Sequence, residues 1–469
     1  MKQKLLKKRN ILPAVALLFL LSSCIDGYKD DWTFSSGVEN VTLESPDTVM
    51  FEKNAEGTIL TVSWPVVYGA SNYEFSLYDA TDVNNPISII EKELVDGCYM
   101  RCNIEEDSNY KITIRAIGNP KLNNKDAASA IEASFSTMIP AIIIPNGADL
   151  FAWFNENGMV ESPEEAAYEL EAGGNYTITG EVKFDSLFTL RGNKANYPTL
   201  TYDVQGRIII GNRGFKIKFI DVNCDALQAG TTSSSFLTLG TAGTITNPIL
   251  VQSCNVKGLN RHFIYDGGRQ CTVSNLLLKD CIIAFNSAER FVCFTNSSYA
   301  NTLSFSNSTI YGLVPSSTYW IQYRNNARGT NTSVSFTNCT FYNIASTGQM
   351  ANYSGLNSSS CKLILKNNIF VNCGDKAVVR RLSAGSGSIQ KELDYNCYWY
   401  DANGDGIVDY AENEERGHTN GDKSETGFYE NPFFTGNVSD PDPANVNFRP
   451  GSSAVQILLN RCGDPRWLQ

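Results

Sequence analysis

Val334-Ser-Phe-Thr-Asn-Cys339 is one of seven similar runs in the second half of the chain, each an apolar, β-branched stretch that ends in a small polar pair. The other six are Phe215–Cys224, Ile249–Cys254, Leu276–Cys281, Leu303–Ser308, Leu363–Asn368 and Leu393–Cys397. Their last residues are 30, 27, 27, 31, 29 and 29 positions apart. A near-constant period with one strand per repeat is typical of a solenoid, and alternation within each run indicates a strand with one buried face. Because no stretch between consecutive runs favours a helix, the sequence predicts a right-handed parallel β-helix.

The first third of the chain has a different pattern, with apolar residues at alternate positions of several separate segments. Leu60, Val62 and Trp64 alternate in one segment, and Tyr110 and Ile112 belong to another. We predict an all-β protein with one β-sandwich over residues 39–138, a linker over 139–146 and the β-helix over 147–469. The sandwich pattern, a Trp followed by Tyr-x-Phe-x-Leu and Tyr-x-Ile-x-Ile-x-Ala, resembles a fibronectin type III domain.

The entrance to the β-helix needs a cap, because an open solenoid end exposes strand edges and apolar side chains. Residues Ser162-Pro-Glu-Glu-Ala-Ala-Tyr-Glu-Leu170 favour a short helix, with Ser162 as N-cap and two glutamates in the first turn. We therefore expect a capping helix there, and we expect the C-terminal tail to fold back as the second cap.

The N-terminus carries an export signal over residues 1–23. Basic residues precede an apolar core, Ile11–Leu21, that is too short to span a bilayer comfortably. The core ends in Leu21-Ser-Ser-Cys24, which resembles a bacterial lipobox, and the resemblance implies that Cys24 is lipidated after cleavage. Residues 24–38 then form a tether whose acidic start resembles the export tag of lipoproteins on the outer cell surface. We expect a lipid-anchored protein of the outer membrane that faces outside the cell.

Thirteen cysteines are present, and five of them end the repeated runs. A small, easily buried side chain that recurs at one position of a repeat favours core packing over a metal site. The recurring cysteines are Cys224, Cys254, Cys281, Cys339 and Cys397.

Residues 401–412 match the EF-hand calcium loop at every ligand position. Gly406 would permit the sharp turn, and Glu412 would close the site with two oxygens. We predict that Ca²⁺ binds here as a structural staple, because the loop uses its own ligands and leaves few open positions. The predicted ligands are Asp401, Asn403, Asp405, Ile407 (through its carbonyl), Asp409 and Glu412.

The repeat region is basic, although the whole chain has a net charge of −11. Residues 201–390 hold sixteen Lys or Arg and seven Asp or Glu, so the remainder of the chain carries −20. Equivalent positions of a solenoid stack along its axis, and a row of arginines flanked by aromatic rings would bind an acidic sugar chain through its carboxylates. The candidate ligand-binding residues are Arg261, Arg290, Tyr319, Trp320, Tyr323, Arg324, Arg380 and Arg381. The alternative is that the cations only solvate the surface and the aromatic rings belong to the core.

The whole architecture resembles the surface lipoproteins of bacterial polysaccharide-utilisation systems. The features that carry the resemblance are the lipobox, the acidic leader, the fibronectin-like module and a pectate-lyase-like β-helix that closes on Gly463-Asp-Pro-Arg-Trp467. It implies an acidic, plant-type (pectin-like) polysaccharide as ligand, and other glycan-uptake proteins and the outer membrane as partners. Nucleic acid is disfavoured by the surface display and by the acidic remainder of the chain.

Catalytic signatures are missing from the sequence. The Arg-x-Pro-x-x-Arg and Asp-His segments of pectate lyases and the Asn-Thr-Asp and Gly-His-Gly motifs of polygalacturonases do not occur, and only two histidines, His262 and His418, are present. We therefore expect a non-catalytic protein that binds acidic polysaccharide for a glycan-utilisation system. Two alternatives stay open: a divergent polysaccharide lyase of the pectate or pectin type that acts by β-elimination, and a structural or adhesive surface protein.

Overall fold

The computed structural model divides into two compact units, Met1–Met138 and Ile139–Gln469. The residues that it describes are 38–55, 57–160, 162–227, 235–323, 331–353, 359–376, 378–383, 389–401 and 426–469. Residues 1–23 and Cys24 lie outside these ranges, as does all of the predicted calcium loop except Asp401. Within the described ranges, no helix combines the length and apolar character that a membrane span requires.

The first unit contains two antiparallel sheets that share one hydrophobic core. Leu60, Val62 and Trp64 are all buried, as the alternation predicts, and the Trp64 ring lies 6.0 Å from the ring of Phe75 in the other sheet. One sheet has the strands Met50–Lys53, Ile59–Ser63 and Tyr99–Asn103, and the other has Ile87–Val95, Ala70–Asp79, Asn109–Gly118 and Ile131–Ser136. These sheets form a β-sandwich, and its resemblance to fibronectin type III stays a prediction.

The second unit is a parallel β-helix of the right-handed type, the usual hand for parallel strands joined by crossovers. The chain visits three parallel sheets in turn, here called sheets 1, 2 and 3. Sheet 1 consists of Ala141–Ile144, Ala166–Leu170, Phe188–Arg191, Phe215–Lys218, Ile249–Gln252, Cys271–Lys279, Tyr299–Ser306, Ser333–Thr337, Lys362–Lys366 and Gln390–Asp394, with Gly243–Ile245 paired to one of them. Sheet 2 consists of Asn175–Ile178, Thr199–Tyr202, Asp221–Asn223, Asn255–Leu259, Ile282–Phe285, Thr309–Gly312, Thr340–Tyr342, Ile369–Val371 and Cys397–Trp399. Sheet 3 consists of Glu181–Phe184, Arg207–Ile210, Ser235–Leu239, His262–Tyr265, Val292–Phe294, Tyr319–Tyr323 and Gln349–Tyr353.

The repeated polar pair of the sequence forms the corner between sheets 1 and 2. From Phe215–Lys218 onward, two residues separate each strand of sheet 1 from the next strand of sheet 2. The first of the two has a positive φ, a conformation that Asn and Asp adopt more readily than most residues, and the second is buried. The first residues are Phe219, Ser253, Asp280, Asn307, Asn338, Asn367 and Tyr395, and the second are Ile220, Cys254, Cys281, Ser308, Cys339, Asn368 and Asn396.

This register corrects two of the seven predicted run ends. Cys224 follows the sheet 2 strand Asp221–Asn223, and Cys397 begins a sheet 2 strand, so neither occupies the corner. Ile220 and Asn396 take those places, because the backbone pairing aligns them with the other corners. Burial of the cysteines is confirmed, and every cysteine of the described residues is a free thiol.

Buried polar corner residues bond to adjacent coils. The side-chain oxygen of Asn368 accepts a hydrogen bond from the Cys339 N–H at 3.0 Å, and its amide donates to the Phe336 carbonyl at 2.8 Å. Asn396 repeats the second contact one coil later, with its amide donating to the Leu365 carbonyl at 2.7 Å. A polar group in the interior is tolerated here because each of these donors and acceptors is satisfied.

The capping helix exists but not where the sequence predicts it. Residues Ala166–Leu170 form a strand, because pairing with the strands Ala141–Ile144 and Phe188–Arg191 overrides their helix propensity. The helix is Leu150–Asn157, whose N-cap Asp149 accepts a hydrogen bond from the Ala152 N–H. It covers the first coil, with the Phe154 ring 5.5 Å from that of Phe184.

The C-terminal segment, residues 426–469, pairs at Phe428 with the last strand of sheet 2 and then lies on the outer side of that sheet. Phe448 packs there against Tyr311. Asp464, almost completely buried, accepts hydrogen bonds from Thr309 Oγ1 at 2.8 Å and Arg466 Nε at 2.9 Å. The other short helices are Val378–Leu382 and Val455–Leu459, with 3₁₀ turns at Pro120–Leu122, Gly374–Lys376, Pro443–Asn445 and Pro465–Trp467. From the strand Asn255–Leu259 onward, the outer side of sheet 2 is therefore covered by the chain itself.

Candidate functional site

A row of side chains on the outer side of sheet 3 is polar and yet mostly buried. Backbone pairing aligns the members of this row across five coils. The residue that directly precedes each member belongs to the hydrophobic core. Because successive residues of a strand point to opposite faces, the row faces outward. Cys293 is 2% exposed and Gln322 is 7% exposed. We name these residues the outer polar row: Thr238, Tyr265, Cys293, Gln322 and Asn352.

Two of the predicted arginines lie beside this row, at the start of successive strands of sheet 3. Arg261 directly precedes His262–Tyr265, and Arg290 stands two residues before Val292–Phe294. Glu289 lies between them, with its carboxylate 3.7 Å from Arg261 Nη1 and 3.3 Å from Arg290 Nη1. The side chains of Arg261 and Arg290 are only 12% and 29% exposed. We call Arg261 and Arg290 the arginine pair.

The arginine pair keeps unused hydrogen-bond donors. The Nε atoms of Arg261 and Arg290 are buried and have no hydrogen-bond partner among the described residues. A buried donor without a partner costs free energy, which a ligand acceptor would recover once the side chain shifts to expose the Nε–H group. Guanidinium groups pair with carboxylates through two adjacent N–H groups, so each free edge is chemically suited to a carboxylate.

His262 fixes the backbone that carries the second arginine. Its Nδ1 donates a hydrogen bond to the Arg290 carbonyl at 2.6 Å, which places the ring proton on Nδ1. Burial lowers the pKa of His262 to about 4, although the bond to the Arg290 carbonyl opposes this shift. The ring is therefore neutral at pH 7, and Nε2 carries an unprotonated lone pair.

Other reactive groups of this surface are held in unreactive forms. Burial raises the pKa of the Cys293 thiol to about 12, so it is not a nucleophile at neutral pH. Asp266 accepts hydrogen bonds from the Gly268 N–H, the Thr295 hydroxyl and the Asn296 N–H, at 2.8 to 3.0 Å, and so fixes a turn between coils. Within the described ranges, no group of three or more His, Cys, Asp or Glu is placed to hold a metal ion.

The predicted aromatic residues separate into two groups. Tyr319 is half-buried and begins a sheet 3 strand, where the pairing sets it opposite Gln349 of the next coil. Trp320 and Tyr323 are 1% and 0% exposed, because their rings stack in the interior on Phe291 and Phe294. These two residues therefore do not belong to a ligand surface, which corrects the prediction that they stack on sugar rings.

The remaining predicted arginines lie farther along the axis. Arg380 and Arg381 belong to the helix Val378–Leu382, which takes the place of a further sheet 3 strand and contacts Gln349–Tyr353. Three strand spacings separate this helix from Arg290, or about 14 Å, so the structure does not join these arginines to the arginine pair. The Nε of Arg381 is also buried without a partner among the described residues. Arg324 lies outside those residues.

Sequence reasoning missed Glu289 and His262. Each acquires its role from a neighbouring coil, and neither belongs to a recognisable motif. The outer polar row was detectable in principle, because the backbone register that brings its members together follows the repeat. The calcium loop and the lipidation of Cys24 fall outside the described residues and stay predictions.

Two family models match parts of the chain, both described as domains of unknown function: DUF4992 over residues 1–173 and DUF4957 over residues 174–313. No curated protein matches the chain. Among solved structures, a pectin methylesterase from Aspergillus niger is similar at 12% identity and a TM-score of 0.28, over 56% of this chain and 85% of that one.

Two further solved structures are similar over much of their length. An exopolygalacturonase of Yersinia enterocolitica shares 10% identity over 77% of this chain and 88% of its own, with a TM-score of 0.26. A pectate lyase of Erwinia chrysanthemi in complex with tetragalacturonic acid shares 8% identity over 61% of this chain and 87% of its own, with a TM-score of 0.15. Likeness at these TM-scores carries no argument about function, and the β-helix is established here by its own strand pairing.

Proposed function

We propose that this protein binds an acidic, pectin-like polysaccharide on the outer side of sheet 3 and does not cleave it. The observation that carries the proposal is the arginine pair, whose buried Nε donors have no partner among the described residues. A carboxylate-bearing sugar chain would supply acceptors to both arginines, which lie on adjacent coils about 4.8 Å apart along the axis.

The chemistry of the surrounding groups favours binding over cleavage. Glu289 is engaged with both arginines, and the Cys293 thiol is protonated because burial raises its pKa to about 12. Hydrolysis of a glycoside requires two suitably spaced carboxyl groups, one of which acts as an acid. Glu289 is the one carboxylate of the described residues that contacts the arginine pair.

A β-eliminating lyase is the second candidate, and one observation favours it. His262, whose Nε2 is unprotonated, lies at the same strand start as Arg261 and is a base of the kind that proton abstraction requires, although it is only 3% exposed. Against this, burial lowers the pKa of His262 to about 4, which makes the ring a weak base.

The remaining parts of the proposal follow from the sequence. The lipidated Cys24 would anchor the chain to the outer membrane with the β-helix outside the cell, and the sandwich would act as a spacer. Other glycan-uptake proteins would be its partners there. Ca²⁺ in the loop 401–412 would staple a long insertion.

The test is electrophoresis of the full chain through gels that contain polygalacturonate, with parallel measurement of the ultraviolet absorbance of unsaturated uronates. Retardation without new absorbance supports the binder, whereas a rise in absorbance that Arg261→Ala abolishes establishes the lyase. Neither signal on any acidic glycan would favour a structural or adhesive protein.

The calcium assignment has a separate test. Adding a chelator should lower the Tm before it changes ligand preference, because a staple acts on folding and not on recognition. Loss of binding at an unchanged Tm would contradict the staple role.

A further inference from the structure

The backbone at Glu289 is fixed by hydrogen bonds within its loop and to the next coil. Glu289 lies in the loop between the strands Ile282–Phe285 and Val292–Phe294, where its N–H donates to Ser287 Oγ at 3.1 Å. The adjacent Ala288 carbonyl accepts hydrogen bonds from Ser316 Oγ and Thr318 Oγ1 of the next coil, both at 2.9 Å. Its carboxylate is thus presented to the arginine pair by a fixed backbone.

The carboxylate of Glu289 has the same chemistry as that of a uronic acid. It lies within 4 Å of both guanidinium groups, so this cluster of three charges has a net charge of +1 and not +2. It faces the Nη1 atoms and leaves both Nε atoms without a partner among the described residues. One ligand carboxylate neutralises such a cluster, and a second would be repelled both by the first and by Glu289.

We infer that Glu289 sets the charge pattern of the ligand: the arginine pair admits one uronate, whose neighbour in the sugar chain carries no charge. The inference rests on the proposed function and narrows it to acidic polysaccharides in which neutral or esterified units separate the free carboxylates. Such a chain presents one charge to the two coils of the pair, whereas unesterified polygalacturonate presents charges on consecutive units.

The test compares the affinities of the full chain for polygalacturonate and for a partly methyl-esterified pectin. The variant Glu289→Gln keeps the side-chain shape and removes the charge. It should bind polygalacturonate more tightly by roughly 1.5-fold to fivefold, the scale of one partly exposed charge pair, while its affinity for the esterified pectin changes less. The preference for the esterified polymer should therefore fall in the variant.

Glu392 provides a matched control on sheet 1, because it also lies between two cations, Lys362 and Lys366. Glu392→Gln should leave the ratio of the two affinities unchanged. The inference is overturned if Glu289→Gln, at an unchanged Tm, leaves that ratio as it is in the natural chain. Failure of the proposed function gives a different result, because replacing Arg261 and Arg290 would then leave the affinity for both polymers unchanged.

Discussion

Two glutamates of the β-helix each lie near two cations, which belong to adjacent coils in one case and to a single strand in the other, and their surroundings differ. Glu289 contacts Arg261 and Arg290 beside sheet 3, where the arginine side chains are 12% and 29% exposed. Glu392 contacts Lys362 and Lys366 on sheet 1, where the lysine side chains are 48% and 42% exposed. The ionic pattern is the same, but only the first cluster withholds hydrogen-bond donors from solvent.

The difference shows why a count of basic residues does not locate a binding site. An exposed ammonium group keeps its water and gains little from an ion pair at the surface. A guanidinium with a buried, unpartnered Nε has lost water already, so an arriving carboxylate gains more. Burial together with unsatisfied donors separates the arginine pair, and Arg381 farther along the axis, from the two lysines on sheet 1.

The largest effect should come from the arginine pair itself. Arg261→Ala and Arg290→Ala should each weaken binding of polygalacturonate by about tenfold, the scale of one charge-assisted hydrogen bond. Affinity electrophoresis measures the loss, and Lys362→Ala together with Lys366→Ala is the control. Equal losses from the lysines and the arginines would show that the two clusters do not differ as ligand sites.

A second effect concerns the acid sensitivity of the sheet 3 side. Burial lowers the pKa of His262 to about 4, whereas an unfolded histidine titrates near 6.5. The unfolded chain therefore binds the proton first, and the stability contributed by His262 is lost as the pH falls from about 6.5 to about 4. His262→Asn, which retains a donor towards the Arg290 carbonyl, should flatten the pH dependence of the free energy of unfolding in this window. An unchanged slope would contradict a neutral, buried imidazole.

A third effect, of opposite sign, belongs to the covered side of sheet 2. Burial raises the pKa of Asp464 to about 6, above the value of 3.8 for an exposed carboxyl group, although Arg466 opposes the shift. The folded chain then binds the proton first, so the contribution of Asp464 to stability decreases as the pH rises from about 3.8 to about 6. Asp464→Asn should remove this decrease in denaturant titrations at several pH values. A decrease that persists in the variant would assign it to another group.

The smallest effect should come from the sheet 1 cluster. Replacing Lys362 or Lys366 by Ala should change the free energy of unfolding by less than about 0.5 kcal/mol, because both ion pairs are solvated. Urea denaturation measures the change, and a loss well above 1 kcal/mol would show that exposed pairs of this fold contribute more than we infer.

The sequence predicts the coil period and the inward faces of the strands because these depend on local alternation and on spacing. It misplaces the corner at Cys224 and Cys397, because the seven runs were aligned on their cysteines. The structure instead aligns them on the two residues that separate each strand of sheet 1 from the next strand of sheet 2. The sequence prediction also places Trp320 outside, although Trp320 and Ile321 are consecutive and both buried. The alternation of buried and exposed residues fails at the start of the strand Tyr319–Tyr323, and no local sequence pattern reveals this failure.

The site was only partly predictable for a related reason. Arg261 and Arg290 can be found from charge and repeat position alone. The roles of Glu289 and His262 depend on contacts between coils, with an ion pair to Arg261 in one case and a hydrogen bond to the Arg290 carbonyl in the other. Such contacts follow from the register, which the sequence gives only approximately.

The corner between sheets 1 and 2 has a fixed length of two residues in seven consecutive coils, whereas the connections on either side of sheet 3 vary in length. In two earlier coils the same corner has four residues, 171–174, and seven residues, 192–198, and the strands on both sides still pair in register with the next coil. Insertions beside sheet 3 would leave the winding intact. From Phe215 onward, differences in length therefore fall on the connections that border sheet 3 and the arginine pair, where new ligand preferences could arise without rebuilding the scaffold.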